Sequence, residues 1–151
     1  MIFEIFSLLI IFQLKHLVAD YPLQNKYMLQ KFRPDWGFAF PLLAHAGVHA
    51  IFTLAICIWL APHLWWLALV DLVTHFVMDR IKAGPRYLGR FKALSANDFV
   101  QVLALTDIEE QKKAMKSNTY FWWSLGLDQM VHHLVHYYII FAIVMDKALT
   151  H

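Results

Sequence analysis

Cysteine is almost absent from this sequence, since Cys57 is the single one in 151 residues. One cysteine can form neither an internal disulfide bond nor a thiolate metal site, so both are excluded. Glutamate is also scarce, at three residues, and none belongs to a Glu-x-x-His motif. The sequence therefore lacks the paired Glu-x-x-His helices on which ferritin-like di-iron sites are built.

Charged residues are few and hydrophobic residues dominate. Hydrophobic residues make up 60% of the chain, and the mean hydropathy is +0.48. Soluble domains average about 45–50% apolar residues, and a chain of this length cannot bury such an excess in one core. The composition therefore predicts one domain surrounded by lipid. The net charge of +2 gives no reason to expect a nucleic-acid partner.

A helix that spans a membrane needs about 20 mostly apolar residues. Four segments meet this requirement: 2–20, 38–60, 62–81 and 124–145. The segment 82–123 contains two patterns typical of helix caps, so we expect short interfacial helices there. We predict an all-α fold, an integral membrane four-helix bundle with interfacial helices between spans three and four, in a single domain of residues 1–151.

Basic residues are distributed unevenly along the chain. Twelve of the 13 Lys and Arg residues lie in or beside the loops after the first and third spans, and only Lys147 lies elsewhere. By the positive-inside rule, both loops are cytoplasmic and both termini lie outside. The chain is predicted to be a multi-pass membrane protein.

Each predicted span carries ionisable residues, which are costly in lipid and usually functional. They repeat at four-residue spacing, so the members of each set lie on one face of their helix. At a rise of about 1.5 Å per residue, the four helices place these sets at a similar depth near the cytoplasmic boundary. The sets are His16 and Asp20; His45 and His49; Asp71, His75 and Asp79; and Asp128, His132 and His136.

Residues in such pairs can converge on metal ions inside a helical bundle. Imidazole and carboxylate ligands without thiolate suit Zn, Fe, Mn or Ni. The number of ligands predicts two or three divalent metal ions, with zinc as the favoured metal. The proposed ligands are His16, Asp20, His45, His49, His75, Asp79, Asp128 and His132.

We predict catalytic or supporting roles for several of these residues and their neighbours. Asp128 or Asp20 is a candidate general base rather than a ligand. Lys82 is the candidate catalytic cation, because such side chains hold phosphate well; contact with anionic lipid head groups explains it equally well. Roles in orienting ligands or substrate are expected for Gln24, Gln129, Arg80, Asp71 and His136.

These motifs resemble those of the domain of unknown function 3307 family, which consists of bacterial and phage integral membrane proteins. The resemblance implies a place in the bacterial inner membrane and supports the ligand set without assigning an activity. It rests on His16-Leu-Val-Ala-Asp20-Tyr-Pro-Leu-Gln24, on His45 with His49, on His75-Phe-Val-Met-Asp79-Arg-Ile-Lys82, and on Asp128-Gln129-Met-Val-His132.

Two looser resemblances concern the layout of the site. Membrane-bound metal-dependent hydrolases carry His/Asp helices in a similar arrangement. The zinc-dependent phospholipase C and nuclease fold gathers three zinc ions with His-x-x-x-Asp pairs, although its N-terminal Trp ligand has no counterpart here. Both resemblances imply hydrolysis, the second of a phosphoester.

We therefore predict a membrane-embedded metal-dependent hydrolase that acts on a lipid or amphiphilic substrate, such as a phosphoester, from the cytoplasmic side. Membrane lipids and this substrate are its expected partners, and the sequence carries no indication of an oligomeric state. One alternative is a metal-ion or proton transporter or channel, although the apolar outer halves of the helices argue against a conducting path. Another is a non-enzymatic membrane protein with a structural metal site.

Overall fold

The computed structural model describes residues 2–33, 35–84, 87–88, 107, 109–110 and 119–150. These residues form helices and connecting turns, with no strand among them. The α-helices are α1 (Ile2–Asp20), α2 (Ala39–Leu60), α3 (Leu67–Ala83) and α4 (Thr119–Thr150). The prediction of an all-α fold is confirmed for the described part of the chain.

The helix bounds follow local sequence signals. The range of α1 coincides with the first predicted span, and α2 follows a short 3₁₀ turn, Trp36–Phe38. Another 3₁₀ turn, Pro62–Leu64, separates α2 from α3; proline fits the start of such a turn because its missing N–H needs no acceptor there. Helix α4 extends beyond the predicted 124–145 at both ends.

The predicted interfacial helices in 82–123 lie for the most part outside the described residues.

Each α-helix packs against two others. Helix α2 lies along α3, α3 contacts α4, and α1 contacts both α4 and α2. One end of this assembly is closed by apolar side chains. They are Leu8 and Phe12 of α1, Cys57 of α2, Leu67 of α3, and Ile139, Ile140, Ile143 and Val144 of α4.

The helices expose many large apolar side chains and bury a set of polar ones, a distribution that is uncommon in soluble proteins. Exposed residues include Phe3 (85%), Ile51 (67%), Val73 (58%) and Phe141 (61%), one from each helix. Among the described helices, α1 and the stretch Trp36–Leu60 are long and apolar enough to cross a membrane, each with a mean hydropathy of 1.8.

The turn between α1 and α2 folds back against the helices. Its 3₁₀ helix, Met28–Phe32, begins where the side chain of Asn25 accepts a hydrogen bond from the Met28 N–H. This turn packs on α2 and α3 and buries Lys31, which is 3% exposed. Lys31 is therefore a core residue, although the sequence pattern grouped it with the basic residues of a cytoplasmic loop.

Lys15 joins all four helices through its ammonium group. Its Nζ atom, on α1, donates hydrogen bonds to Thr53 Oγ1 of α2 (2.7 Å) and Asp71 Oδ2 of α3 (2.5 Å). It also lies 3.2 Å from His136 Nε2 of α4. The Lys15 and Asp71 side chains are 2% and 1% exposed, so water does not screen this pair.

We predict that Lys15→Met destabilises the fold by about 3–5 kcal/mol, because it leaves the Asp71 carboxylate buried without its cation. The apparent midpoint of thermal unfolding in detergent, followed by circular dichroism, measures the effect. Lys147→Met is the matched control: Lys147 pairs with Glu4 at 2.6 Å, but both side chains are about one-third exposed, so its loss changes stability by at most about 1 kcal/mol. Equal shifts for the two variants would contradict the prediction.

Candidate metal centre

The four-residue spacing of His and Asp places these residues on the inner faces of the helices. Helix α1 supplies His16 and Asp20, α2 supplies His45 and His49, α3 supplies His75 and Asp79, and α4 supplies Asp128 and His132. All eight are buried except Asp20, whose side chain is 18% exposed. The structure thus brings the eight proposed ligands to one end of the assembly, away from the apolar cluster that closes the other end.

Four of these residues form a first group of potential ligands, with donor atoms that all lie within 4.8 Å of one another. They are Asp20, His45, His49 and His75. The Asp20 Oδ1 atom lies 3.2 Å from His49 Nε2 and 3.4 Å from His45 Nε2. Three imidazoles and one carboxylate at this separation match the ligand set of a divalent transition metal.

A second group consists of His75, Asp79 and His132, again with donor atoms within 4.8 Å. His75 belongs to both groups. Its ring stacks on the ring of His49 at 3.7 Å between centroids and on that of His132 at 3.8 Å. The two groups therefore adjoin each other with His75 between them.

His16 and Asp128 lie beside the two groups rather than within them. His16 Nε2 is 3.1 Å from Asp20 Oδ2 and 3.2 Å from Gln129 Oε1. Asp128 Oδ2 accepts a hydrogen bond from Lys82 Nζ at 2.5 Å, and its Oδ1 lies 3.4 Å from His132 Nε2.

Unpartnered polar atoms provide a test of whether these residues fit a metal. A buried polar atom without a hydrogen bond costs about 1–3 kcal/mol. Among the described residues, eight buried side-chain atoms lack one. Seven are imidazole nitrogens, and both nitrogens of His75 and of His45 are among them. A deprotonated imidazole nitrogen has a lone pair that a cation can accept, so the residues present fit a metal site.

Two lysines accompany the carboxylates of the centre. Lys31 Nζ lies 2.6 Å from Asp79 Oδ2, and Lys82 Nζ lies 3.7 Å from Asp79 Oδ1 in addition to its contact with Asp128. The sequence pattern singled out Lys82 but missed Lys31. Lys31 sits in a 3₁₀ turn outside the helical spacing, so no periodic signal could have identified it.

Of the residues predicted to orient ligands or substrate, three lie beside the proposed ligands. Gln129 contacts His16, as described above, and Asp71 Oδ1 lies 3.8 Å from His75 Nδ1 and from His136 Nε2. These three residues thus adjoin the ligands.

The Arg80 side chain is turned away from the centre. The Arg80 guanidinium lies over the Phe38 ring at 3.4 Å and donates to the Arg33 carbonyl, so it does not point into the cluster. Gln24, half-buried in the turn after α1, makes no hydrogen bond to a described residue of the centre.

The comparisons with known proteins identify one family. The model of the family described as "Protein of unknown function (DUF3307)" matches residues 8–150, which include every proposed ligand. No curated protein and no solved structure matches the chain.

We predict that His75→Ala removes bound metal from the whole centre, because His75 contributes to both ligand groups. Elemental analysis of protein purified without chelator measures metal per chain. His133→Ala is the matched control, since His133 neighbours His132 but belongs to neither group. The prediction fails if the two variants lose metal to the same extent.

Proposed function

The chain belongs to the DUF3307 family of proteins of unknown function, and we propose that it is a membrane-embedded metal-dependent hydrolase acting on a lipid or amphiphilic substrate from the cytoplasmic side. The observation that carries this proposal is the pair of adjoining ligand groups that share His75. Next to them lies a carboxylate with one oxygen free of hydrogen bonds, Asp128 Oδ1.

The distribution of polarity supports a membrane location. Apolar side chains face outward on all four helices, and the ionisable ones face inward. Lipid stabilises such an exterior, whereas water does not. We propose four membrane spans packed as a bundle in the bacterial inner membrane, with both termini outside and the turn that carries Lys31 on the cytoplasmic side.

The ligand groups support two metal positions, and a third would need His16 and Asp128. We propose zinc, held by Asp20, His45, His49 and His75 in one group and by His75, Asp79 and His132 in the other. When bound, such ions supply the Lewis acidity that hydrolysis of an ester or phosphoester requires.

The two candidate bases have different surroundings. Asp20 lies within 3.4 Å of the Nε2 atoms of His16, His45 and His49, which suits a metal ligand. Asp128 instead has one oxygen fixed by Lys82 and the other without a hydrogen bond. A carboxylate with one oxygen held by Lys82 and the other 3.4 Å from His132 Nε2, without a hydrogen bond, suits a general base, so we assign that role to Asp128. Lys82 then positions it.

The apolar cluster at the far end bears on the transporter alternative. Residues from all four helices close that end, among them Phe12, Leu67 and Ile143, each at most 1% exposed. Conduction needs polar groups or water along the full path. The described residues therefore favour a centre reached from one side only.

Turnover of lipid esters and phosphoesters by zinc-loaded protein in detergent or liposomes tests the hydrolase proposal. We expect chelator to abolish turnover and Asp128→Asn to lower kcat by about 100-fold or more without loss of metal. Asp146→Asn, at the opposite end of α4, should retain activity. Metal-loaded wild-type protein that hydrolyses none of these substrates would instead support a structural metal site.

Labelling of single cysteines from each side of the membrane tests the orientation. Because Cys57 is buried, the wild-type chain provides a low background. Lys26→Cys, in the turn after α1, should react only from the cytoplasmic side, and His63→Cys, in the turn after α2, only from the outside. Reaction of both cysteines from the same side would rule out the proposed topology.

A further inference from the structure

Lys31 and Lys82 come from separate elements and meet at one carboxylate. Lys31 lies in the 3₁₀ turn after α1 and contacts Asp79 Oδ2, while Lys82 lies at the end of α3 and contacts Asp79 Oδ1 and Asp128 Oδ2. Their side chains are 4% and 15% exposed. Two ammonium groups are thus held at the cytoplasmic edge of the centre. Their carboxylate partners are a candidate metal ligand, Asp79, and its neighbour Asp128.

The charges of the centre do not balance once metal is added. The described part of the interior contains four carboxylates, of Asp20, Asp71, Asp79 and Asp128, and three ammonium groups, of Lys15, Lys31 and Lys82. With neutral imidazoles, four negative charges meet three positive ones, so the metal-free centre is close to neutral. Two divalent cations would leave a net charge of +3 with a neutral His75, or +2 if His75 binds both ions as an imidazolate. An uncompensated charge of this size is very unfavourable away from water.

We propose that Lys31 and Lys82 form a binding site for the phosphoryl group of an anionic substrate, which completes the charge balance of the metal-loaded centre. The proposal rests on the metal centre proposed above and specifies its substrate class. A metal ion bound by Asp79 competes with both ammonium groups for that carboxylate. Lys31 then needs another anion, and Lys82 can contact the same anion while it stays paired with Asp128. Ammonium groups bind phosphate readily as flexible point charges.

The other described basic residues near the centre already have partners elsewhere. Arg80 is held over the Phe38 ring, and Arg33 pairs with Asp35 at 2.8 Å on the surface. Lys15 is held in the interior by Thr53 and Asp71. Among the described basic residues near the centre, Lys31 and Lys82 are thus the two whose ammonium groups lie within 4 Å of Asp79. The phosphoryl group could belong to a lipid headgroup or to a soluble phosphate.

Equilibrium dialysis of zinc-loaded protein in detergent micelles against radiolabelled inorganic phosphate tests the site. We expect metal-loaded protein to bind phosphate and chelator-treated protein to release it. Lys31→Met should weaken phosphate binding by about tenfold or more while zinc per chain stays unchanged. Lys31→Arg should restore most of the affinity, and Lys26→Met, an exposed lysine of the same turn, should match the wild type. Unchanged phosphate affinity in Lys31→Met would overturn the proposal.

A second measurement on the wild-type chain does not depend on how well the variants fold. Phosphate should slow acetylation of Lys31 and Lys82 in zinc-loaded protein but leave Lys26 unaffected, as read by mass spectrometry. Equal acetylation of all three lysines with and without phosphate would overturn the proposal. If zinc itself does not bind, the metal centre fails; if zinc binds and phosphate does not, only the phosphoryl site fails.

Competition separates the two sources of the phosphoryl group. Micelles that contain phosphatidic acid should displace labelled phosphate if the substrate is a lipid, whereas micelles that contain diacylglycerol should not. Displacement by short soluble phosphomonoesters, but not by phosphatidic acid, would assign the site to a soluble substrate.

Discussion

The ammonium group of Lys15 contacts one side chain from each of the other three helices, and the arrangement of the centre depends on this interaction. An unpaired charge at this depth would be very unfavourable, so Thr53, Asp71 and His136 must all stay within reach of one Nζ atom. This requirement fixes the relative heights of the four helices. Because helical residues repeat at a fixed rise, fixing one layer also fixes the layers on either side of it.

The order of the side chains above and below Lys15 follows from these fixed helix heights. One turn from Lys15, Asp71 and His136, towards the end that carries the candidate ligands, lie Ala19, His75 and His132, and the next turn brings Asp79 and Asp128. In the opposite direction the same helices supply the apolar cluster around Phe12 and Leu67. Among the described residues, packing of these apolar side chains therefore closes the polar interior at one end. An interior closed in this way suits binding and chemistry better than conduction, which needs polar groups along the full path.

The sequence predicted the helices and the faces on which the His and Asp residues lie, because both depend on local periodicity. Spacing alone places His45 and His49 on one face of α2, and it needs no tertiary information. Lys15 and Lys31 show where this reasoning stops. In sequence they are basic residues beside or within a loop, which favours a cytoplasmic surface. Their burial depends on carboxylates 56 and 48 residues away, Asp71 and Asp79, and no local pattern contains that information. The shared position of His75 between two ligand groups is likewise a tertiary property.

The three buried lysines have different carboxylate partners, and these partners suit different roles. Lys15 pairs with Asp71 in the interior, where neither group has an exit to water, so this pair is suited to holding the helices together. Lys31 and Lys82 pair with Asp79 and Asp128, which adjoin the ligand groups, and Lys31 belongs to a short turn rather than to an α-helix. Moving Lys31 displaces a turn of five residues, whereas moving Lys15 displaces α1, which contacts both α2 and α4. The Lys15 layer therefore holds the ligand-bearing helices in register, and the pairs made by Lys31 and Lys82 are where charge can be rearranged.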